Sequence, residues 1–209
     1  MFGWLRGSGQ GAAQERFSPA PHRLEALSDG VFAIVLTLLA LELRLPDAAH
    51  DARFTDVIAG NAALIGSYAV SFFIVGLLWK LHHMVLERIG RGVAGIHVLN
   101  LAFLATVTLT PWSLGNLTSF PGDAVAVATF SGLLLAAWLI LIAILTSALA
   151  GQGHDEAQRL RIRQLRVSLS SGPLVAAASI AIAPFSTDAA LYVWLALIPL
   201  SALRRRFAR

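Results

Sequence analysis

The residues best suited to chemistry form a short polar segment, Arg23 to Asp29, directly before an apolar run. Ser28 and Asp29 are adjacent there, and Arg23 precedes the aspartate by six residues. One interpretation is a helix N-terminus, at which the hydroxyl or the carboxylate accepts hydrogen bonds from free backbone amides. The other is a buried polar network that holds this helix against its neighbours. The apolar run from Gly30 to Leu45 is too short to cross a membrane without the polar segment, and this observation favours the second interpretation.

Four side chains further along the chain offer hydrogen-bonding partners for such a network: Trp79, His82, His83 and Asn100. We expect a histidine to donate to Asp29, with the indole and the amide filling the remaining hydrogen bonds. Adjacent residues point about 100° apart on a helix, so only one of the two histidines can face the network, and the sequence does not say which. For the same reason the pair cannot chelate a metal ion from one helical face. We therefore predict neither a metal site nor a bound cofactor.

The apolar run carries a second feature, a face with helical spacing at Ile34, Thr37, Leu38 and Leu41. Ordinary packing against other membrane helices is one interpretation of this face. If several such helices surrounded an axis, the aliphatic residues would form hydrophobic constrictions that gate by dewetting. The threonine hydroxyls would then form a layer able to replace part of an ion's hydration. Glu42 could supply a ring of carboxylates at the outer mouth, where it would concentrate cations.

The elements that must position these residues are membrane helices, as the composition indicates. Hydrophobic residues make up 56% of the 209 residues and charged residues only 13%, with a mean hydropathy of +0.70. Soluble domains hold about 25% charged residues, so this chain has too little polar surface for a soluble globule of its size. Helices satisfy their own backbone in lipid, and barrel strands would alternate with a period of two, so we predict an all-α fold. The chain has no cysteine, which excludes disulfides and thiolate metal sites.

Six apolar runs separated by short polar stretches predict six transmembrane helices: Gly30–Leu45, Val57–Trp79, Val93–Trp112, Ala124–Ala150, Val167–Phe185 and Ala189–Leu203. A span needs about 20 residues, so the first helix must extend back through the polar segment. We therefore predict a flexible cytoplasmic tail over residues 1–21, one six-helix transmembrane domain over 22–203 and a basic cytoplasmic tail over 204–209.

The positive charges predict the orientation of these helices. Every lysine and arginine except Arg44 and Arg53 falls on one side of the six predicted spans. The positive-inside rule then places both termini in the cytoplasm of a multi-pass protein in the cell membrane. The pI of about 10.6 does not indicate nucleic-acid binding, because the basic residues lie between apolar runs and at the chain ends. Their placement is typical of anchoring at an anionic lipid surface.

Three stretches carry a resemblance to a known family. The sequence Arg23-x-x-x-Leu27-Ser28-Asp29 resembles the Arg-x-x-x-Phe-Ser-Asp signature of the endosomal/lysosomal potassium channel family and its bacterial branch. The Gly-Val-Phe-Ala-Ile-Val-Leu-Thr-Leu-Leu that follows is similar to the first helix of that family, and Trp-x-x-His-His is similar to its second. The chain departs from the signature at Leu27, where phenylalanine is usual. In helix number and orientation the resemblance covers essentially the whole chain.

The resemblance implies a homotetramer of six-helix subunits, in which the first helix of each subunit lines a potassium-permeable pore. It implies aliphatic constriction rings at Ile34, Leu38 and Leu41. It also implies a hydroxyl layer, involved in ion preference, at Thr37. The polar signature would then support the structure, together with the second and third helices, instead of lining the ion path. No Thr-Val-Gly-Tyr-Gly filter of ordinary potassium channels occurs in the chain.

From the residues and the resemblance together, we predict a potassium-permeable channel of weak to moderate selectivity, because hydrophobic rings discriminate weakly between cations. The alternative is a proton-coupled secondary transporter in which Asp29 and a nearby histidine titrate. An intramembrane enzyme is a third possibility, because Ser28, Asp29 and His83 are residue types found in hydrolase triads. No Gly-x-Ser-x-Gly sequence surrounds Ser28, so we predict that the protein is not an enzyme.

Overall fold

A computed structural model describes residues 21–43, 53–87, 95–149 and 164–197. The elements in these ranges are all helical: α1 (Pro21–Leu41), α2 (Phe54–Gly60), α3 (Ala62–Leu86), α4 (Ile96–Thr108), α5 (Thr110–Ser119), α6 (Ala124–Leu149), α7 (Ser171–Ile182), α8 (Thr187–Tyr192) and a 3-10 helix (Val193–Ala196). Residues 164–169 are also helical and lead into α7 through a turn at Ser170.

Five helical segments within the described ranges are long and apolar enough to cross a membrane: Arg23–Leu41, Ala62–Leu86, Ile96–Ser119, Ala124–Ser147 and Gln164–Ile182. The predicted all-α membrane fold is confirmed to this extent. The sixth predicted run begins in α8 and the 3-10 helix, and its residues from 198 onward lie outside the described ranges. The predicted tails over residues 1–21 and 204–209 also lie outside them, apart from Pro21 itself.

Helix α1 begins at Pro21 and therefore includes the whole polar segment. Proline suits the first turn of a helix, since its fixed φ is helical and its missing amide hydrogen would have no intrahelical partner there. Ser28 and Asp29 consequently lie in the interior of the helix, two turns from its start. The helix-cap interpretation of this pair is wrong, and the extension of the first span through the polar segment is correct.

Prolines divide two of the predicted runs. The third run is interrupted by a turn at Leu109, and Pro111 lies in the first turn of the new helix α5. The fifth run is interrupted at Ser170, and Pro173 lies in the first turn of α7. A proline inside a continuous helix would remove one backbone hydrogen bond and clash with the preceding turn. A break just before each proline avoids both costs.

Helix α6 lies at the centre of the bundle and contacts α4, α5 and α7, whereas α1 packs against α3, α4 and α5. The largest fully buried side chains include those of Phe32, Phe103, Trp138 and Trp194. The crossing of α6 and α7 is close because residue 172 is glycine, and a Cβ atom there would overlap the indole of Trp138. Small residues allow such close approach between membrane helices. The result is a packed bundle with α1 on its outer side.

Candidate functional site

Helix α1 presents two faces of different character. The buried face repeats every three or four residues and consists of Leu24, Ser28, Phe32, Val35 and Leu39. The exposed apolar face consists of Leu27, Ile34, Leu38 and Leu41. The Ile34, Leu38 and Leu41 side chains are 60%, 40% and 64% exposed, and Thr37 is exposed beside them. The predicted constriction residues therefore form a stripe on the surface of the subunit, turned away from the core.

Exposure alone does not assign a function to this stripe. A membrane helix also exposes apolar side chains to lipid, and Val98 on α4 and Leu139 on α6 are 70% and 52% exposed. The stripe of α1 also carries a hydroxyl, although exposed threonines occur on other helices too, such as Thr146 on α6. Thr37 Oγ1 donates to the carbonyl of Ile34 at 2.7 Å, which uses its hydrogen within the helix. The oxygen lone pairs remain directed outward, where they can accept from water or contact a cation.

A chain of buried hydrogen bonds holds the opposite face of α1 to α3 and α4. His82 Nε2 donates to Asn100 Oδ1 at 2.7 Å, and Asn100 Nδ2 donates to Ser28 Oγ at 3.1 Å. Ser28 in turn donates to the carbonyl of Leu24 at 2.8 Å. The three polar side chains are at most 1% exposed. We call this arrangement the His82 chain; each member is paired, as buried polar groups require.

Aromatic contacts fix the orientation of the imidazole in the His82 chain. The ring of His82 is parallel to that of Phe103, with centroids 4.7 Å apart, and lies 5.9 Å from that of Phe32. Phe32 belongs to α1 and Phe103 to α4, so the imidazole is packed by the same two helices to which it is hydrogen-bonded. His82 is thus the histidine that faces the polar network, and its neighbour His83 points elsewhere.

Asp29 lies outside the His82 chain. Its carboxylate is exposed and accepts a hydrogen bond from Trp79 Nε1 at 2.8 Å, whereas we expected a histidine as its donor. The reason is geometric: residues 28 and 29 point about 100° apart, so burial of the serine turns the aspartate outward. Arg23 is also exposed and, in the part of the chain that the structure describes, makes no hydrogen bond or ion pair with these side chains.

His83 contacts two carboxylates that the sequence did not suggest. Its Nδ1 lies 2.8 Å from Glu25 Oε1 of α1, and its Nε2 lies 3.3 Å from Glu87 Oε1. Its ring also stacks on Trp79, with centroids 6.2 Å apart. One signal in the sequence could have revealed both partners. Glu25 lies one turn before Asp29 on α1, and Glu87 lies one turn after His83 on α3.

Glu42, the predicted outer-mouth carboxylate, is partly buried just beyond the end of α1. It lies against α5, since a Cβ atom at Gly115 would come within 2.6 Å of Glu42 Oε2. The same carboxylate lines a cavity of about 830 Å³ together with Asn61, Trp112 and Asp188, among others. Glu42 therefore packs against a helix of its own subunit. The neighbouring Arg44 lies outside the described residues.

A second buried chain, unforeseen in the sequence, joins the later helices. Trp194 Nε1 donates to Ser131 Oγ at 3.3 Å, and the hydroxyls of Ser131 and Ser179 are 2.7 Å apart. Ser179 donates to the carbonyl of Ala190 at 2.8 Å, so the hydrogen between the two serines must come from Ser131. We call this arrangement the Trp194 chain; it connects α6, α7, α8 and the 3-10 helix.

The geometry gives no support to catalysis at Ser28. Its hydrogen is directed to a backbone carbonyl and its oxygen accepts from an amide, so no base is placed to activate it. Across the described residues, no group of three or more histidine or acidic side chains is arranged to hold a metal ion. What the arrangement can do is hold α1 firmly by one face and present an apolar, hydroxyl-bearing stripe on the other.

Comparisons with known proteins relate the chain to one family of channels. Residues 23–111 match the model of the family described as the endosomal/lysosomal potassium channel TMEM175. A potassium channel of Streptomyces collinus is 31% identical over 158 residues, which are 71% of this chain and 76% of that protein. The endosomal/lysosomal proton channel TMEM175 of Bos taurus is 34% identical over 144 residues, which are 63% of this chain but only 30% of the bovine protein.

The fold is similar to that of a solved channel. The crystal structure of a lysosomal potassium-selective channel TMEM175 homolog from Chamaesiphon minutus superposes with a TM-score of 0.72 and 25% sequence identity. The match covers 88% of this chain and 97% of that one. The similarity therefore extends well beyond the residues that match the family model, into the helices that carry the Trp194 chain.

Proposed function

The chain belongs to the endosomal/lysosomal potassium channel TMEM175 family, and from this premise we propose that it is a potassium-permeable cation channel of a bacterial cell membrane. The relative from Streptomyces collinus is named a potassium channel, and the structural neighbour from Chamaesiphon minutus is called potassium-selective. One observation on this molecule carries the proposal: the Ile34, Leu38 and Leu41 side chains and the Thr37 hydroxyl share one exposed face of α1. We propose no enzymatic activity and no bound cofactor.

The proposed assembly is a homotetramer of subunits with six membrane helices and both termini in the cytoplasm. The distribution of lysine and arginine around the apolar runs supports this orientation. A single α1 cannot enclose a pore, so several copies must contribute one helix each. Four copies are the number that the family resemblance implies. The apolar stripe would then be covered by the same stripe of neighbouring subunits around the pore axis.

In this assembly Ile34, Leu38 and Leu41 form aliphatic rings that exclude water when the pore is narrow. Thr37 lies between the first ring, Ile34, and the second, Leu38, along the exposed face, and its oxygen faces the ion path while its hydrogen is held by the helix backbone. A ring of such oxygens replaces part of the hydration of a passing ion and so favours potassium. The selectivity arises from four hydroxyls in otherwise apolar surroundings, which explains why we expect it to be weak to moderate.

The His82 chain acts as the anchor of the pore helix. An α-helix turns by about 100° per residue, so a slip of one residue would turn a different set of side chains, such as Val35 and Leu39, toward the pore axis. The Ser28 hydroxyl accepts a hydrogen bond from the Asn100 amide of α4, and this contact between two helices fixes the rotation of α1. We propose that Ser28, His82 and Asn100 set the orientation of the pore face without contacting ions. Asp29, Trp79 and His83 support the same helix from its exposed side.

A proton-coupled secondary transporter remains the second candidate, and one observation favours it. The Asp29 carboxylate is exposed within a membrane-spanning helix, accepts from the Trp79 indole and is not part of the buried chain, and acidic side chains in such positions often serve transport. A transporter that uses Asp29 would lose coupled flux when that carboxylate is neutralised. A channel would keep passive potassium flux in the Asp29→Asn variant that still assembles.

Reconstituted liposomes separate the two candidates. Potassium and sodium flux are measured for the wild type and for Leu38→Ala, under an imposed cation gradient and with no proton gradient. A barrier lowered by about 1 kcal/mol raises a rate about fivefold, so widening one aliphatic ring should increase potassium flux by at least that factor. Leu139→Ala on α6 removes a leucine that is also exposed, at 52% against 40% for Leu38, but lies outside the proposed pore, and it should leave flux unchanged.

Passive potassium flux above sodium flux, raised in Leu38→Ala and not in Leu139→Ala, is the expected result. Flux that begins only when a proton gradient is added, with Leu38→Ala equal to the wild type, would contradict the channel and favour the transporter. Equal increases in the two leucine variants would mean that the pore does not run along α1.

A further inference from the structure

A cavity of about 830 Å³ lies at the end of the bundle opposite to the His82 chain. Its walls come from the residue that follows α1, the first turns of α3, α5 with the turn after it, and the beginnings of α6 and α8. By the predicted orientation this is the outer end of the membrane spans. Binding sites for small molecules have volumes of about 300–1,000 Å³, so the cavity is large enough to hold one.

Two carboxylates, Glu42 and Asp188, line this cavity, and the described residues around it include no lysine, arginine or histidine. In the part of the chain that the structure describes, neither carboxylate forms an ion pair or a side-chain hydrogen bond. Glu42 is partly buried against Gly115, where a Cβ atom would come within 2.6 Å of its Oε2. A partly buried carboxylate without a partner is costly, so the cavity favours a positively charged occupant.

The uncharged polar side chains of the cavity offer acceptor oxygens. Ser67 Oγ, Thr118 Oγ1 and Asn61 Nδ2 each donate to a backbone carbonyl of the preceding turn, at 2.9, 2.8 and 2.8 Å. The hydroxyl hydrogens are therefore used, and the lone pairs of the hydroxyls and of the amide oxygen remain able to accept. A ligand that donates hydrogen bonds, such as an ammonium group, matches these oxygens and the two carboxylates. An anion would be repelled by them.

Apolar residues complete the walls, and they indicate the kind of cation that fits. Leu64, Trp112, Phe120 and Leu191 line the same cavity. An alkyl chain can pack against such residues, and aromatic faces attract ammonium groups. A bare metal ion would leave most of the volume empty. Among the described residues, moreover, no three histidine or acidic side chains are arranged to hold a metal ion. The cavity therefore fits an organic cation better than a metal ion.

We propose that this cavity binds an organic amine from the outer side of the membrane, with its ammonium groups paired to Glu42 and Asp188. Glu42 directly follows α1, so an amine bound to it cancels negative charge beside the outer end of the proposed pore helix. Negative charge concentrates cations near a channel entrance, so a bound amine should lower potassium flux. The site stands on the cavity itself, whereas this effect on flux rests on the proposed channel function.

The test titrates the purified protein with hexamethylenediamine in a calorimeter, in a nonionic detergent so that no anionic lipid competes for the amine. Hexanediol, which has the same chain without charge, is the control ligand. Glu42→Gln and Asp188→Asn each remove one of the two charges with little change of shape. Asp56→Asn is the control variant, because Asp56 is an exposed carboxylate on α2, at the same end of the bundle but outside the cavity. Size-exclusion chromatography confirms that every variant assembles like the wild type.

The wild type should bind the diamine and not the diol. Glu42→Gln and Asp188→Asn should each weaken binding by about tenfold, as expected for the loss of a hydrogen bond to a charged group, and Asp56→Asn should bind like the wild type. No diamine binding to the wild type, or unchanged affinity in either cavity variant, would overturn the site. An equal loss of affinity in Asp56→Asn would also overturn it, because the amine would then bind to surface charge in general.

The effect on transport is measured in liposomes with the diamine added outside. Potassium flux should fall by about twofold in the wild type, because salt screens much of the charge, and should not respond to the diamine in Glu42→Gln. Binding without any change of flux would overturn the link to the pore but not the site. Diamine binding to a wild type that passes no potassium would contradict the proposed channel function and leave the site in place.

Discussion

The two buried hydrogen-bonded chains have the same construction. Each begins at a ring N–H, of His82 in one and Trp194 in the other, and each ends at a backbone carbonyl. Between these ends lie two side chains that pass the hydrogen bonds in a single direction. In the first chain they are an amide and a hydroxyl, and in the second they are two hydroxyls. Both chains satisfy every polar group that they bury, which lipid-embedded helices require.

The difference lies in the helices that each chain connects. The His82 chain ends within α1, on the face opposite the exposed stripe, so its geometry determines which face of α1 points outward. The Trp194 chain ends at Ala190 in α8 and, among the described residues, none of its hydrogen bonds reaches α1. Similar polar chains can therefore have different functions. The His82 chain orients the proposed pore helix, and the Trp194 chain holds the later helices together. Breaking the first should alter conduction and stability, whereas breaking the second should alter stability alone.

The largest effect is expected for Asn100→Leu, which removes the centre of the His82 chain. Leucine has a similar volume but forms no hydrogen bond, so two bonds are lost and the buried His82 N–H is left unpaired. We expect the free energy of unfolding to fall by about 2–4 kcal/mol. Unfolding in detergent by denaturant measures this change, and size-exclusion chromatography reports assembly.

The matched control is Asn61→Ala. The Asn61 amide donates to the Val57 carbonyl within the same short segment, at the edge of the bundle, and is only partly buried. Its loss should cost less than about 1 kcal/mol. If Asn100→Leu were as mild as this control, the His82 chain would not anchor α1, and the comparison between the two chains would fail.

A smaller effect is expected for Ser179→Ala, which removes the centre of the Trp194 chain. The variant loses the bond to Ser131 and leaves the Ala190 carbonyl without its hydroxyl donor. We expect a loss of about 1–2 kcal/mol in the free energy of unfolding. Potassium flux per folded channel and the ratio of potassium to sodium flux should equal those of the wild type. A changed flux ratio would show that the Trp194 chain also influences the pore, against the distinction drawn above.

The elements of the fold were predictable from the sequence because lipid imposes a simple rule of length and apolarity. The short first run correctly required the polar segment to lie within the helix. The bounds were predicted less well, since the second run was expected to span Val57–Trp79, whereas α3 begins at Ala62 and continues to Leu86. The number of spans beyond five, the orientation and the tetramer remain predictions, since they depend on residues or chains other than those described.

The pairing of side chains was less predictable, because it depends on helix rotation. Ser28, His82 and Asn100 were foreseen as members of a network, but the donor to Asp29 is Trp79 and not a histidine. A one-residue difference in position changes direction by about 100°, which no count along the sequence resolves. The Trp194 chain was missed because serine and tryptophan are common in membrane helices. Nothing in their spacing indicates a contact between residues 48 or 63 positions apart.

The smallest effect on stability, with a distinct effect on function, is expected for Thr37→Val. Valine has nearly the shape of threonine, and the lost hydroxyl donates only to its own helix, so the free energy of unfolding should change by less than about 0.5 kcal/mol. The ratio of potassium to sodium flux should nevertheless fall, because an oxygen ring becomes a methyl ring. Thr146→Val is the matched control, since Thr146 is exposed on α6 and its hydroxyl donates three residues back in the same manner. An unchanged ratio in Thr37→Val would mean that the stripe of α1 does not select ions. The His82 chain would still turn the same face of α1 outward, but that face would have a function other than ion selection.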